Sequence, residues 1–140
     1  MDIEALFARH SSRIADAVPE GAVALSGSTL LGGYGGHDVD FVVLVPDVAD
    51  AASRLRHAYP PLYEEDWRVD WAAFRDPGPP QVDVVLTESG TKGDAHHRRA
   101  WELILMDDRL QAEYRRLKAR GMDGARKAAF FERVVRMLDA

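Results

Sequence analysis

Apolar residues recur every three or four positions near the start of the chain, and short continuous apolar runs follow them. The first pattern, over about residues 3–18, predicts an amphipathic helix that stops at the turn-forming PEG at 19–21. The run AVALSG at 22–27 predicts a short strand, and DVDFVVLVP at 38–46 predicts a central strand buried on both faces. The chain is therefore expected to pass from a helix into a sheet.

The remaining pattern adds one helix, two strands and a helical tail. Residues 46–60 predict a helix with Asp47 as its N-cap. DWRVDWAAF at 66–74 and QVDVVLTE at 81–88 predict two more strands, separated by the turn-forming RDPGPP. From about residue 94 the chain is arginine-rich and helical, with expected breaks near 106–107 and at Gly121.

This order of elements predicts a single α+β domain (mixed α/β) over residues 1–140. A mixed β-sheet with flanking helices is expected within residues 1–90, and a C-terminal helical segment within residues 94–140. A chain of 140 residues is long enough to bury a core without disulfides or structural metals.

The amino-acid composition argues against several classes of function. The formal net charge of −5 argues against general nucleic-acid binding, which needs a basic surface. The chain has no cysteine, so thiolate metal sites and cysteine nucleophiles are excluded. The N-terminus lacks the apolar core of a signal peptide, and no run approaches the ~18 apolar residues of a membrane span. These features predict a cytoplasmic protein without a membrane partner.

Paired acids at the head of the apolar strand are the first candidate chemistry. Asp38 and Asp40 are two residues apart, so on a strand their carboxylates share one face. Such neighbouring like charges repel unless a cation lies between them, and Mg²⁺ or Mn²⁺ prefers oxygen ligands of this kind. Asp83 lies near the start of another apolar strand. If the two strands are neighbours, the three acids converge and are able to hold two metal ions.

A Gly-Ser turn precedes these acids. Gly27 and Ser28 follow one predicted strand and precede TLLGG, which predicts a short helix. Backbone N–H groups and a hydroxyl at such a turn are suited to hold phosphate oxygens, and a glycine lets the backbone approach an anion closely. The stretch as a whole is typical of a phosphate cradle followed by metal-binding carboxylates.

The order Gly-Ser, a spacer of roughly ten residues, Asp-x-Asp at a strand head and a later strand aspartate resembles the nucleotidyltransferase superfold of DNA polymerase β. Gly27, Ser28, Asp38, Asp40 and Asp83 match that pattern. Among small relatives the chain looks most like GrpB-type proteins, through SGSTLLGG at 26–33 and the helical stretches HHRRAWELILMDDRLQAEYRRLKARG and ARKAAFFERVV. The chain departs from GrpB relatives in its spacer and in carrying Asp83 where they have a histidine-bearing strand.

The resemblance implies a nucleotidyltransferase-like domain that uses Mg²⁺ (or Mn²⁺) to move an NMP from a nucleoside triphosphate to an unknown acceptor hydroxyl. Gly27 and Ser28 would hold the β- and γ-phosphates, while Asp38 and Asp40 would bind the metal ions. Asp83 would bind a second ion and help to deprotonate the acceptor. Lys118 and Lys127 stand where related helices place a cation near the nucleotide, and Lys127 is the preferred candidate.

Simpler interpretations stay open. The Gly-Ser turn is also compatible with an ordinary turn, the paired acids with a solvated strand end, and Asp83 with a polar sheet rim. An inactive nucleotide-binding or protein-interaction module of the GrpB type is the alternative function.

Other polar and aromatic residues also have both a structural interpretation and a ligand-binding one. A solvated surface is favoured for Lys92 and for the basic stretch His96–Arg99, with contact to phosphate as the other interpretation. His37 is left out of the site because Asp-x-Asp metal sites are normally all-oxygen. The three tryptophans are expected in the core, and Tyr34 is the best candidate for an exposed aromatic ring near a ligand.

Overall fold

The computed structural model describes residues 2–32, 38–121 and 123–139 of the chain. It has a sheet between two sets of helices, as the sequence predicts. The strands are β1 Ala22–Ser26, β2 Val39–Leu44, β3 Pro61–Leu62, β4 Trp71–Asp76 and β5 Val82–Thr87. The helices are α1 Ile3–Ala17, α2 Val48–Leu55, α3 Lys92–Asp94, α4 Ala100–Met106, α5 Asp108–Ala119 and α6 Gly124–Leu138. A 3₁₀ turn covers Gly27–Leu31, and a π-helical stretch at Ala95–Arg99 joins α3 to α4. The α+β fold class is confirmed.

The sheet is mixed, with the strand order β1-β2-β5-β4-β3. Strands β2 and β5 are parallel neighbours, whereas β1 runs antiparallel to β2 and β4 antiparallel to β5. The expectation that the two acid-bearing strands are adjacent is therefore confirmed. Their register pairs Asp40 directly with Asp83.

One face of the sheet carries the main core. Alternate residues of β2, including Val39, Phe41 and Val43, are almost fully buried in one cluster with apolar residues of α1 and α2. Phe7 of α1 stacks on Phe41 at a centroid distance of 5.7 Å. Because side chains alternate along a strand, Asp40 points to the opposite face.

The C-terminal helices form a second apolar cluster. Trp101, Tyr114, Phe130 and Phe131 are buried together there, and Leu30 of the 3₁₀ turn packs against them. The predicted helix breaks are confirmed: Asp107 caps α5 by accepting from the backbone N–H of Leu110 and its neighbour, and Gly121 takes a φ of +74° after that helix. This second cluster holds α5 and α6 against the turn that contains Gly27 and Ser28.

Two strand assignments differ from the sequence prediction. Strand β4 begins at Trp71, because Arg68 and Trp71 exchange backbone hydrogen bonds in a tight turn. It also extends to Asp76 and so includes Arg75, which the pattern assigned to a turn. The short strand β3 at Pro61–Leu62 was not predicted.

Among the described residues, no helix is both long and apolar enough to cross a membrane.

Candidate functional site

A cavity of about 520 Å³ lies between the sheet and the C-terminal helices. Its wall includes residues from the β1–3₁₀ turn, from β2, β4 and β5, and from the helices that follow Thr91. All six predicted site residues line it, namely Gly27, Ser28, Asp38, Asp40, Asp83 and Lys127. The structure thus brings together residues that are up to 100 positions apart in the sequence.

A polar row crosses the floor of the cavity from strand to strand. The sheet register pairs Ser26 with Asp40, Asp40 with Asp83, and Asp83 with Arg75. Residues paired in this way point to the same face of a sheet. Two carboxylates therefore lie side by side in the middle of the row, with a hydroxyl at one end and a guanidinium at the other.

Gly27 adopts a conformation that favours glycine and also touches the acids. Its φ is +72°, and a Cβ built on it would lie 2.3 Å from Oδ2 of Asp40. A side chain at this position would be strained and would collide with the carboxylate. The close approach that glycine permits here is to the Asp40 side chain.

The C-terminal helices bring cations to the Gly-Ser turn. Lys118 of α5 donates from Nζ to the Ser28 hydroxyl at 3.2 Å, and Tyr114 of the same helix also lines the cavity. Lys127 of α6 lies near enough to favour the charged form of Asp40. Both lysines are exposed at the mouth of the cavity, where a phosphate group is able to reach them.

Burial and crowding affect the charge of Asp40. Burial, with the neighbouring charges of Asp83 and Asp38, raises the pKa of Asp40 from 3.8 to about 6, against the opposing effect of Lys127 and Arg75. A carboxylate that gains a proton this readily is one that a cation would stabilise.

Asp83 is already paired. Arg75 donates from Nε to Oδ1 of Asp83 at 2.7 Å and from Nη2 to Oδ2 at 3.0 Å. Both groups are largely shielded from solvent, with 33% of the arginine and 20% of the aspartate side chain exposed. This two-point pairing is the strongest geometry that a guanidinium and a carboxylate form. Arg75 is the functional candidate that the sequence reasoning missed.

The donor set fits one divalent ion better than two. Asp38 and Asp40 offer carboxylate oxygens at the cavity, which suits Mg²⁺ or Mn²⁺ completed by phosphate oxygens. Both oxygens of Asp83, in contrast, accept hydrogen bonds from Arg75. Within the described residues, no group of three or more acids or histidines stands ready to hold a metal ion. The prediction that the acids meet at one cleft agrees with this geometry, and their metal-binding roles stay predictions.

The histidine pair lies in the wall of the cavity, which differs from the solvated basic surface favoured by the sequence. Burial lowers the pKa of His97 to about 3, and burial together with Lys127 and Lys92 lowers the pKa of His96. Trp71 donates from Nε1 to Nε2 of His97 at 3.2 Å. Both imidazoles are therefore neutral at pH 7 and help to shape the cavity as uncharged groups.

The remaining candidate residues from the sequence lie at several different places in the fold. Lys92 lines a smaller adjoining cavity of about 190 Å³, and Arg98 is committed to the buried carboxylate of Asp94. Trp101 is buried, as expected, while Trp71 is half-buried and borders both cavities. His37 and Tyr34 lie outside the described residues.

No model of a known protein family matches the chain, and comparison with curated proteins finds no match either.

Proposed function

We propose that the protein is a Mg²⁺-dependent nucleotidyltransferase, which moves an NMP from a nucleoside triphosphate to an acceptor hydroxyl and releases pyrophosphate. The observation that carries this proposal is the register of β2 and β5, which sets Asp40 beside Asp83 across from the Gly-Ser turn. A cavity of about 520 Å³ is large enough for a nucleotide.

The phosphates would be held at the Gly-Ser turn. The Ser28 hydroxyl and the backbone N–H groups of the turn would donate hydrogen bonds to phosphate oxygens, and Lys118 and Lys127 would add positive charge beside them. Asp38 and Asp40 would hold the divalent ion. When bound, that ion would neutralise charge on the phosphate oxygens during transfer.

The reaction replaces a phosphoanhydride bond of the NTP with a phosphoester bond to the acceptor. The acceptor oxygen forms a bond to the α-phosphorus, and the bond from that phosphorus to the bridging oxygen of the β-phosphate breaks. Pyrophosphate leaves with that electron pair. The hydroxyl proton passes to a carboxylate of the Asp40–Asp83 pair, which lies in a partly buried part of the cavity.

A second candidate function is a nucleotide-binding module without turnover. The observation that favours it is the pairing of Asp83 with Arg75, because a paired Asp83 is less available to assist an acceptor. Phosphate contacts at Ser28 and Lys118 would remain in such a module.

A screen for pyrophosphate release separates the two candidates. The parent protein is incubated with each of the four NTPs, Mg²⁺ and pooled acceptor alcohols, beside Asp40→Asn and the control Asp16→Asn, an exposed acid of α1. The enzyme is expected to release pyrophosphate with at least one NTP, and Asp40→Asn is expected to lose roughly 10²-fold or more in rate. Mg²⁺-dependent nucleotide binding without pyrophosphate release from any NTP would favour the module.

A further inference from the structure

The guanidinium of Arg75 occupies the side of the acidic cluster that a two-ion site would need. Strand β4 is the antiparallel neighbour of β5, and its register sets Arg75 opposite Asp83. Two hydrogen bonds, at 2.7 and 3.0 Å, join Arg75 to both carboxylate oxygens of Asp83. The contact is thus fixed by the sheet and does not depend on a flexible loop.

Arg75 offsets part of the negative charge along the polar row. Three carboxylates, those of Asp38, Asp40 and Asp83, line the cavity, and the charges of Asp38 and Asp83 both act on Asp40. Arg75 supplies a permanent positive charge to Asp83 and also lowers the electrostatic cost of ionising Asp40. A second divalent ion at Asp83 would have to displace this guanidinium or lie against it, and two positive charges at that distance repel.

We propose that the site takes up one divalent ion, at Asp38 and Asp40, and that Arg75 replaces a second ion beside Asp83. This inference rests on the proposed function and adds a property to it, the number of metal ions in the nucleotide complex. Arg75 acts here as a positioning residue, since it holds Asp83 and supplies charge without being assigned a contact to substrate.

Replacing Arg75 would change how many carboxylate oxygens at the cavity are free to bind a metal ion. Arg75→Met removes the charge and both hydrogen bonds while it keeps a long apolar stem, so Asp40 and Asp83 become a free pair of neighbouring carboxylates. That pair has the oxygen ligands that Mg²⁺ and Mn²⁺ prefer. Arg75→Lys keeps one positive charge and should continue to exclude the second ion. Arg54→Met is the matched control, because Arg54 pairs with Glu20 and Asp50 through exposed contacts outside the cavity.

Counting bound Mn²⁺ tests the inference without any need for turnover. Each protein is crystallised with Mn²⁺ and an NTP analogue that cannot be cleaved between the α- and β-phosphates, and anomalous scattering locates each ion. Electron paramagnetic resonance titration of free Mn²⁺ gives the number of ions per chain in the same metal–nucleotide mixture, corrected for binding to nucleotide alone.

One ion per chain is expected for the parent, Arg54→Met and Arg75→Lys, and two for Arg75→Met, with the second between Asp40 and Asp83. Two ions in the parent, with Arg75 displaced from Asp83, would overturn the inference and leave the proposed function standing. A folded Arg75→Met protein that still binds one ion would also overturn it. A parent that binds nucleotide without any ion would contradict the proposed metal-dependent function itself. If Arg75→Met fails to fold, the parent's own ion count still decides.

Discussion

Two neighbouring aspartates in this cavity have opposite effects on the free energy of unfolding. Asp40 is crowded by Asp83 and Asp38 and is partly withdrawn from water, so its ionisation is unfavourable in the folded chain. Asp83 is held by two hydrogen bonds from Arg75, so its ionised form has a partner. The same substitution to asparagine is therefore expected to have opposite effects at the two positions.

Asp40→Asn should stabilise the metal-free protein at neutral pH. The pKa of Asp40 is about 6 in the folded chain and 3.8 ordinarily, so between about pH 4 and 6 the folded state binds more protons than the unfolded state. The contribution of Asp40 to the free energy of unfolding is therefore greatest at low pH and falls as the pH rises to about 6. The full effect is on the order of 3 kcal/mol at most. Urea unfolding of the parent and the variant in EDTA from pH 4 to 8 measures it. A difference in unfolding free energy that does not grow between pH 4 and 6 would contradict the electrostatics proposed for Asp40.

Asp83→Asn should destabilise the metal-free protein. The amide keeps the shape but loses the charge that accepts from Arg75, and hydrogen bonds to charged groups contribute roughly 1.5–3 kcal/mol each. A fall of about 1–2 kcal/mol in unfolding free energy at pH 7 is expected because the pair is partly exposed. Asp16→Asn, on the exposed face of α1, should stay within about 0.5 kcal/mol of the parent. An Asp83→Asn protein as stable as the parent would mean that the Arg75 contact adds little to the fold.

In the proposed function, the turn between β1 and the 3₁₀ segment joins phosphate binding to the acids. Gly27→Ala would place a methyl group 2.3 Å from Oδ2 of Asp40 at a φ of +72°. We expect a loss of at least about 1 kcal/mol of stability and a marked loss of nucleotide affinity, measured by urea unfolding and by calorimetry. Gly124→Ala is the control, since that glycine, at the start of α6, has open space around it and no positive φ. Equal effects of the two substitutions would contradict the role given to the turn.

The C-terminal helices act on the site by presenting cations to it. Lys118→Met should weaken nucleotide binding roughly tenfold, which corresponds to about 1.4 kcal/mol, because the ammonium at Ser28 would be lost. The melting temperature should change little, since Lys118 is exposed. Lys92→Met serves as the comparison, because Lys92 lines the smaller cavity. A larger loss of affinity in Lys92→Met than in Lys118→Met would place the phosphates in the smaller cavity instead.

Local sequence pattern predicts most of these elements and part of the site. The two-residue period of a strand predicts Asp38 and Asp40 on one face; Asp38 lies just before β2, and both residues line the cavity. The strand head at Asp83 follows from the same pattern. Arg75 was missed because DPGPP made its position look like the start of a turn, whereas hydrogen bonding to β5 extends β4 through Asp76. The contact between Lys118 and Ser28 spans 90 residues and depends on how α5 packs, which no local pattern encodes.

At the scale of the whole molecule, the cavity depends on two separate cores. One cluster fixes the sheet and therefore the row from Ser26 to Arg75, and the other fixes the C-terminal helices that carry Lys118 and Lys127. The net charge of −5 does not reveal this local arrangement, in which acidic and basic side chains line the same cavity. Nucleotide binding should therefore require both halves of the chain and a cation between the triphosphate and the acids.

Calorimetric titration of the intact protein with each of the four NTPs, in Mg²⁺ and in EDTA, tests this requirement most directly. The proposed function predicts binding of at least one NTP in Mg²⁺ and a loss of roughly tenfold or more in affinity in EDTA, because the carboxylates of Asp38, Asp40 and Asp83 repel a bare triphosphate. Equal affinity in the two buffers, or no binding of any NTP in Mg²⁺, would contradict it.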